Sequence, residues 1–307
     1  DVHGSRGLGD VYKRQKTRGL ILLLIASIVW GSTFVPQKIA MQDWSALQFT
    51  SFRFLIGGII LFSFIKFSPK NIKSNLEFLI ISLVSGLVLA LAALTQQIGI
   101  VTTTATNAGF YTSLYVLIVP FIGVFISKSL HWSIWPSIIV CFTGSVLLSS
   151  SGDSISLSNI SNGDLWVIFS AIFWAIHLHI VSFAVLKLPI FKFSIIQFII
   201  CGFLLFIYGS IFDSQNFLDF TNVSSSGIFY LFYCSLGSVC IGFTLQMFGQ
   251  RLVEPTPAAL IMSTEAIFAA IFAWIILSEV LNFNGLVGAS LIFLGVIFVQ
   301  LAPKVKI

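Results

Sequence analysis

The sequence predicts an all-α integral membrane protein whose ten transmembrane helices form two inverted five-helix repeats. Three observations carry this prediction. Hydrophobic residues make up 57% of the chain and charged residues 9%, with a mean hydropathy of +1.02; soluble domains carry about 25% charged residues. Ten apolar stretches recur between short polar breaks, each near the roughly 20 residues that cross a bilayer. The two halves of the chain also align with each other.

Residues 1–18 open with DVHGSRGLGDVYKRQ, which is polar, glycine-rich and without the apolar core of a signal peptide. They are expected to be disordered, a processing remnant or a non-native addition. The first repeat, residues 19–150, contains the spans Gly19–Met41, Trp44–Lys66, Leu76–Ile98, Thr103–Ser127 and Trp132–Ser150. An external linker, 151–163, joins it to the second repeat, 164–301. That repeat holds the spans Asp164–Leu186, Ile190–Phe212, Gly227–Phe248, Thr256–Ser278 and Phe283–Leu301, and a tail of 302–307 follows. No alternating ten-residue pattern occurs, so helices are favoured over a membrane barrel.

Lysine and arginine fall almost entirely in one set of connections: Lys13 to Arg18, Lys66 to Lys73, Lys128, Lys187 and Lys192, Arg251, and Lys304 with Lys306. Basic residues in short loops are retained on the cytoplasmic side, so both termini are expected there. The net charge of +5 is thereby an orientation signal, and nucleic acid is not expected as a partner. The four cysteines, Cys141, Cys201, Cys234 and Cys240, lie in apolar stretches without metal-finger spacing and are expected to be free thiols.

Aligning Trp30 with Trp174 brings Phe49 onto Phe193, Phe54 onto Phe198, Gly58 onto Gly202 and Arg53 onto Gln197. Beyond a register shift, Gly99 meets Gly249, Ser113 meets Ser263 and Gly144 meets Gly295. Five helices is an odd number, so the second copy enters from the opposite side. Many secondary transporters use such inverted repeats, with the substrate near the midplane at their interface.

Four segments carry a resemblance: WGSTFVPQKIA from Trp30, the FRF around Arg53, TTATNAGFYTSLYVLIVPF from Thr103, and EAIFAAIFAWIILSE ending at Glu279. Together they resemble the bacterial EamA type of the drug/metabolite transporter (DMT) superfamily over nearly all of 19–300. The resemblance implies a ten-helix carrier that moves amino acids or other small metabolites, often outward. Lys128 departs from it, because an acid often ends the corresponding helix, as Glu279 does in the second half. The His177 and His179 pair is a second feature not assumed to be shared.

Polar residues inside the apolar spans are the candidate substrate-binding or coupling site. Ionisable groups at membrane depth are costly and persist where they face a protein interior or a wet cavity. Glu265 lies mid-span, and His177 at about the same depth by helical rise, so the two could meet and pass a proton to one side at a time. Arg53, about 13 Å below the outer surface by the same measure, suits a carboxylate, which its planar fork binds through paired hydrogen bonds. The alternatives are a structural glutamate between helices, a histidine bonded to a backbone carbonyl, and an arginine paired with Asp43. Lys38 and His179 read as structural. Trp30, Gln37, Gln96, Asn107, Tyr111, Tyr115, Trp174 and Gln246 supply aromatic walls and neutral hydrogen-bonding groups. Asn107, Tyr111 and Tyr115 recur every four residues and should share one helix face.

The function these features predict is a secondary carrier of the inner membrane. It would work by alternating access and rocking of the two halves, with the lipid bilayer, a small-molecule substrate and protons as partners and no cofactor. No phosphate-cradling glycine loop is present. The competing readings are a membrane-embedded enzyme with His177, His179 and Glu265 as metal ligands, and a passive channel. A His-x-His pair on a helix points its rings about 200° apart, which suits a shared metal poorly.

Overall fold

The computed structural model describes residues 2–67, 76–127, 129–131, 134–148, 160–213, 216–301 and 304–306. Lys128 and residues 151–159 of the expected linker lie outside them. Helix α1 spans Val2–Ala40, so its backbone is helical through the segment set aside above as disordered. It is followed by α2 (Ala46–Phe62), α3 (Leu76–Thr102), α4 (Ala105–Ser113), α5 (Tyr115–Ser127) and α6 (Ile134–Leu148). The second half holds α7 (Asn162–Lys187), α8 (Ile190–Phe212), α9 (Ser225–Cys234), a π-helical segment Ser235–Gly242, α10 (Phe243–Gln250), α11 (Pro255–Met262), α12 (Glu265–Leu277) and α13 (Phe283–Leu301).

Three crossings are built from broken helices: α4 with α5, α9 with α10 through the π segment, and α11 with α12. Counted so, seven crossings are long and apolar enough to span a membrane, and three shorter apolar helices complete the ten. Large apolar side chains such as Phe125, Ile139, Phe212 and Ile275 face outward. Serine, threonine and glutamine fill much of the interior instead, among them Ser27, Thr50, Ser85, Gln97 and Gln197. That is the arrangement of a bundle whose solvent is lipid.

The packing repeats under exchange of the halves. Helix α3 packs along α7, and its counterpart, the α9 to α10 crossing, packs along α1; α2 meets α8 and α6 meets α13, each pair being its own counterpart. The equivalence reaches single atoms. A β-carbon on Gly99 would lie 2.6 Å from the carbonyl oxygen of Gly163, and one on the equivalent Gly249 3.1 Å from that of the equivalent Gly19. Gly58 abuts Ile199, while Gly202 abuts Leu55. These contacts define the pseudo-twofold relation expected from the sequence. They also show that the halves interleave, because α1 packs mainly on second-half helices and α7 on first-half ones.

Two of the broken crossings, α4/α5 and α11/α12, break at equivalent places and with the same local hydrogen bonds. Ser113 Oγ donates to Phe110 O and Ser263 Oγ to Leu260 O, each at 2.7 Å. The turns Leu114 N to Tyr111 O and Thr264 N to Ile261 O tighten to i, i+3 spacing. Serine hydroxyls that bond back into the preceding turn compete with the helical ladder and bend it. At the Lys187 end of the bundle, Lys187 pairs with Glu77 at 2.9 Å. A short antiparallel pairing of Ser129–His131 with Lys304–Lys306, not foreseen from the sequence, ties the α5–α6 connection to the C-terminal segment.

Gly99→Val and Gly249→Val should each lower the thermal midpoint of the detergent-solubilised protein. Overpacking of this kind costs about 1–3 kcal/mol. The two losses should be similar, and tolerance of either valine would contradict the equivalent close contacts.

Candidate functional site

A cavity lies at the middle of the bundle, lined by Trp30, Thr33, Phe34, Gln37, Arg53, Phe54, Gln96, Thr112, Tyr115, Trp174, His177, Leu178, Ser238, Phe243, Gln246, Met262 and Glu265. Most of this lining falls into equivalent pairs, one residue from each half: Trp30 with Trp174, Thr33 with His177, Phe34 with Leu178, Gln96 with Gln246, Thr112 with Met262, and Tyr115 with Glu265. The cavity therefore sits on the pseudo-twofold axis. About 50 Å³ is open to the centres of water-sized spheres, room for a few waters at roughly 10–15 Å³ each. An organic solute would need the walls to part.

The broken helices place its charged wall. Glu265 opens α12 directly after the break, and Tyr115 opens α5 at the equivalent point. The side chains of Tyr115 and Glu265 interact, although the tyrosine hydroxyl makes no well-formed hydrogen bond. Ser27 Oγ and Thr264 Oγ1, 2.9 Å apart, hold the break against α1. On the opposite crossing, the π segment brings Ser238 O within reach of the Trp30 indole, which donates to it at 3.1 Å. Ser238 O also accepts the i, i+5 bond from Phe243 N, and π geometry inside helices is frequent at functional sites.

Arg53 is only 3% exposed. Its Nη1 donates to Gln37 Oε1, its guanidinium carbon lies 5.5 Å and 5.2 Å from the Phe49 and Phe54 ring centroids, and its Nε has no partner. Asp43, the alternative partner considered above, instead accepts from Ser224 Oγ at the start of α9. Among the described residues neither Arg53 nor Glu265 reaches an oppositely charged side chain; the ion pair found is Lys187 with Glu77. A guanidinium and a carboxyl thus border one cavity, neither with an oppositely charged side chain in reach among the described residues.

His177 and Glu265 both line the cavity, as their depths imply, yet they are not bonded to each other. His177 Nε2 lies 3.1 Å from Gln197 Oε1, which also accepts from Ser85 Oγ at 2.7 Å. Gln197, equivalent to Arg53, thus occupies the matching place behind the second half's wall. His179 Nε2 instead meets Val119 O at 2.8 Å, and no three His, Cys, Asp or Glu side chains gather to hold a metal among the described residues.

Trp30, Gln37, Gln96, Tyr115, Trp174 and Gln246 line the cavity as well; Asn107 and Tyr111 do not. The supposed common face of Asn107, Tyr111 and Tyr115 is interrupted by the break at Leu114. Asn107 sits in the first turn of α4, its amide bonded to the cap at Thr104 Oγ1, and the Tyr111 hydroxyl donates to Ser145 O at 3.1 Å. Sequence reasoning missed Thr33, Phe34, Phe54, Thr112, Leu178, Ser238, Phe243 and Met262. The repeat alignment offered a signal for several of these, since Thr33, Phe34, Leu178, Thr112 and Met262 stand at positions equivalent to one another across the halves.

The Lys38 end is closed by polar ties. Ser278 has a left-handed backbone (φ 55°) that ends α12 and turns Glu279 onto the start of α4. There its carboxylate accepts from Ala105 N and Thr106 N at 3.0 Å and from Thr106 Oγ1 at 2.7 Å. A carboxylate at a helix N-terminus is favoured by the orphan amides and the helix dipole. Lys38 Nζ donates to Ile100 O and Val101 O, and Thr103 Oγ1 to Asp164 Oδ1.

A ten-helix bundle folded from two inverted repeats around an axial cavity has the architecture of a secondary transporter. The profile of the EamA-like transporter family matches the chain twice, over residues 17–150 and 161–301. An uncharacterized transporter of Archaeoglobus fulgidus is 29% identical over 281 residues, covering 91% of this chain and 84% of its own. The uncharacterized inner membrane transporter YicL of Salmonella typhimurium is 28% identical, covering 94% and 96%. A crystal structure with 13% identity superposes with a TM-score of 0.66 over 92% of this chain and 96% of its own, and so shares the fold. The chain belongs to the EamA-like transporter family: it is a multi-pass membrane transporter, and the resemblance to the DMT superfamily drawn from the sequence holds.

Gln37→Leu should strip the buried guanidinium of Arg53 of its acceptor and destabilise the protein by about 2–3 kcal/mol. The double variant Gln37→Leu/Arg53→Leu should recover part of that loss, because no orphan charge remains. Chemical denaturation in detergent reads both; a neutral Gln37→Leu would show that the bond to Arg53 carries no weight.

Proposed function

We propose that the protein carries small zwitterions, amino acids or close relatives, across the inner membrane by alternating access. The observation that carries this reading is that Arg53 and Glu265 border one axial cavity, neither paired with an oppositely charged side chain among the described residues. A zwitterion supplies both missing counter-ions at once: its carboxylate to the Arg53 fork and its ammonium to Glu265. Burying an isolated charge costs far more than burying a paired one, so such a ligand is held at both ends or excluded.

The one-sided distribution of lysine and arginine supports cytoplasmic termini. With that orientation the Glu279 clamp closes the outer face, and export requires it to open. The interleaved packing supports cross-half bundles as the moving units, α1 with α9 to α12 and α7 with α3 to α5. Rigid five-helix halves rocking past each other would have to tear these contacts apart. Small axial shifts at the serine breaks would widen the cavity toward one face at a time.

Glu265 also suits proton exchange, binding a proton when the ammonium leaves. The ionisable groups bordering the same cavity are Tyr115, His177 and Arg53. Coupled export would then run faster with the outside acidic than without a gradient.

In proteoliposomes, counterflow of labelled amino acids should saturate in the wild type, as expected of a carrier and not of a channel. Arg53→Gln should lower kcat/KM by about 10- to 100-fold, the value of losing charge-assisted hydrogen bonds worth about 1.5–3 kcal/mol. Glu265→Gln should abolish the response to a pH gradient. Normal transport by both variants would sink the reading.

A further inference from the structure

Symmetry gives each half of the cavity the same shape, so the places where its chemistry departs from symmetry show what the halves do differently. Gln96 in the first half has an internal partner: its Nε2 donates to Thr112 Oγ1 at 2.7 Å. The equivalent residue in the second half, Gln246, faces the position equivalent to Thr112, which is Met262. A thioether accepts hydrogen bonds only weakly and offers no donor. Gln246 is 4% exposed, and one end of its carboxamide, Oε1, is left without a partner.

The same departure recurs at the tryptophans. Trp30 Nε1 donates to Ser238 O, whereas the indole nitrogen of the equivalent Trp174 is buried without an acceptor. Both residues line the same cavity and both adjoin Phe243. The Trp174 ring stacks on Phe243 with centroids 6.0 Å apart, and Gln246 follows Phe243 by three residues, on the same helix face. An orphan donor, the Trp174 indole N–H, and an orphan acceptor, Gln246 Oε1, thus belong to two side chains that share Phe243 as a neighbour on the cavity wall. Native proteins leave few buried polar groups unpaired, and each exception calls for a role.

We propose that Trp174 and Gln246 form a side-chain subsite that selects solutes carrying a hydroxyl or carboxamide over apolar solutes of the same shape. The inference rests on the zwitterion reading, with Arg53 and Glu265 holding the two charged ends. A hydroxyl or amide between the indole and the carboxamide satisfies both orphans; a methyl leaves both buried and unpaired. Sites built to hydrogen-bond a group reject its apolar analogue far more strongly than apolar pockets discriminate by size.

The test is competition in proteoliposome counterflow between isosteric pairs of rising length: threonine with valine, asparagine with leucine, and glutamine with methionine. For the pair that fits, wild type should favour the polar member by at least about tenfold, one missing hydrogen bond in a buried site being worth about 1–3 kcal/mol. Gln246→Leu and Trp174→Phe should each bring that ratio down toward one. Met262→Thr, which offers a hydroxyl that can donate to Gln246 Oε1, should do the same without removing either group. Met262→Leu, which adds no hydroxyl, should keep the wild-type ratio and so separates quenching from a packing fault.

Equal handling of both members of all three pairs by wild type would overturn the subsite while leaving the zwitterion reading standing, as would variants that keep the preference. Exchange of cationic or neutral solutes with no zwitterion exchanged would overturn both.

Discussion

A guanidinium and a carboxyl, Arg53 and Glu265, are held within the apolar depth of this bundle, and neither meets an oppositely charged side chain among the described residues. That constraint organises the rest of the structure. An isolated ion in hydrocarbon is tolerated only beside protein dipoles, water or a ligand. Around Arg53 the protein supplies one carboxamide and two aromatic faces. Around Glu265 it supplies a tyrosine and a small cavity with room for a few waters. The remaining interior is mainly apolar, with neutral serine, threonine and glutamine side chains among it, so the cavity is where a ligand's charges could complete the set.

The repeat explains how one small cavity can serve both faces of a membrane. Helix breaks at Ser113 and Ser263 carry the same back-bonded hydroxyls, and close glycine contacts recur at equivalent points. Shape is thus duplicated, and a motion available to one half is available to the other. Chemistry is not duplicated. Arg53 is matched by Gln197, Glu265 by Tyr115 and His177 by Thr33, so the two halves of the cavity differ in charge and polarity. The ends differ too, because the Glu279 clamp on α4 would meet Pro255, which has no amide hydrogen, at the place equivalent to Ala105.

Much of this was legible in the chain. Hydropathy and length mark all ten crossings, because a bilayer demands them of each span separately, and the pairing of Trp30 with Trp174 and Gly99 with Gly249 already implied the axis. Nine of the eleven candidate site residues line the cavity for the same reason: a polar group at that depth has few other places to be. Asn107 and Tyr111 failed because helical periodicity assumes an unbroken helix, and the break at Ser113 is a local competition that periodicity does not register. The bond from His177 to Gln197, in place of Glu265, was equally out of reach. Depth along the membrane normal can be read from sequence, whereas the azimuth of a side chain depends on how α7 rolls against α3 and α8.

The most direct test of the central claim is calorimetric binding of an amino acid, its methyl ester and its N-acetyl derivative to the purified protein. If both cavity charges await ligand counter-ions, the zwitterion should bind, and the ester and the N-acetyl form should each be weaker by at least about tenfold, one charge-assisted contact being worth about 1.5–3 kcal/mol. Equal binding of all three would mean that Arg53 and Glu265 are not read by the ligand and would contradict the account.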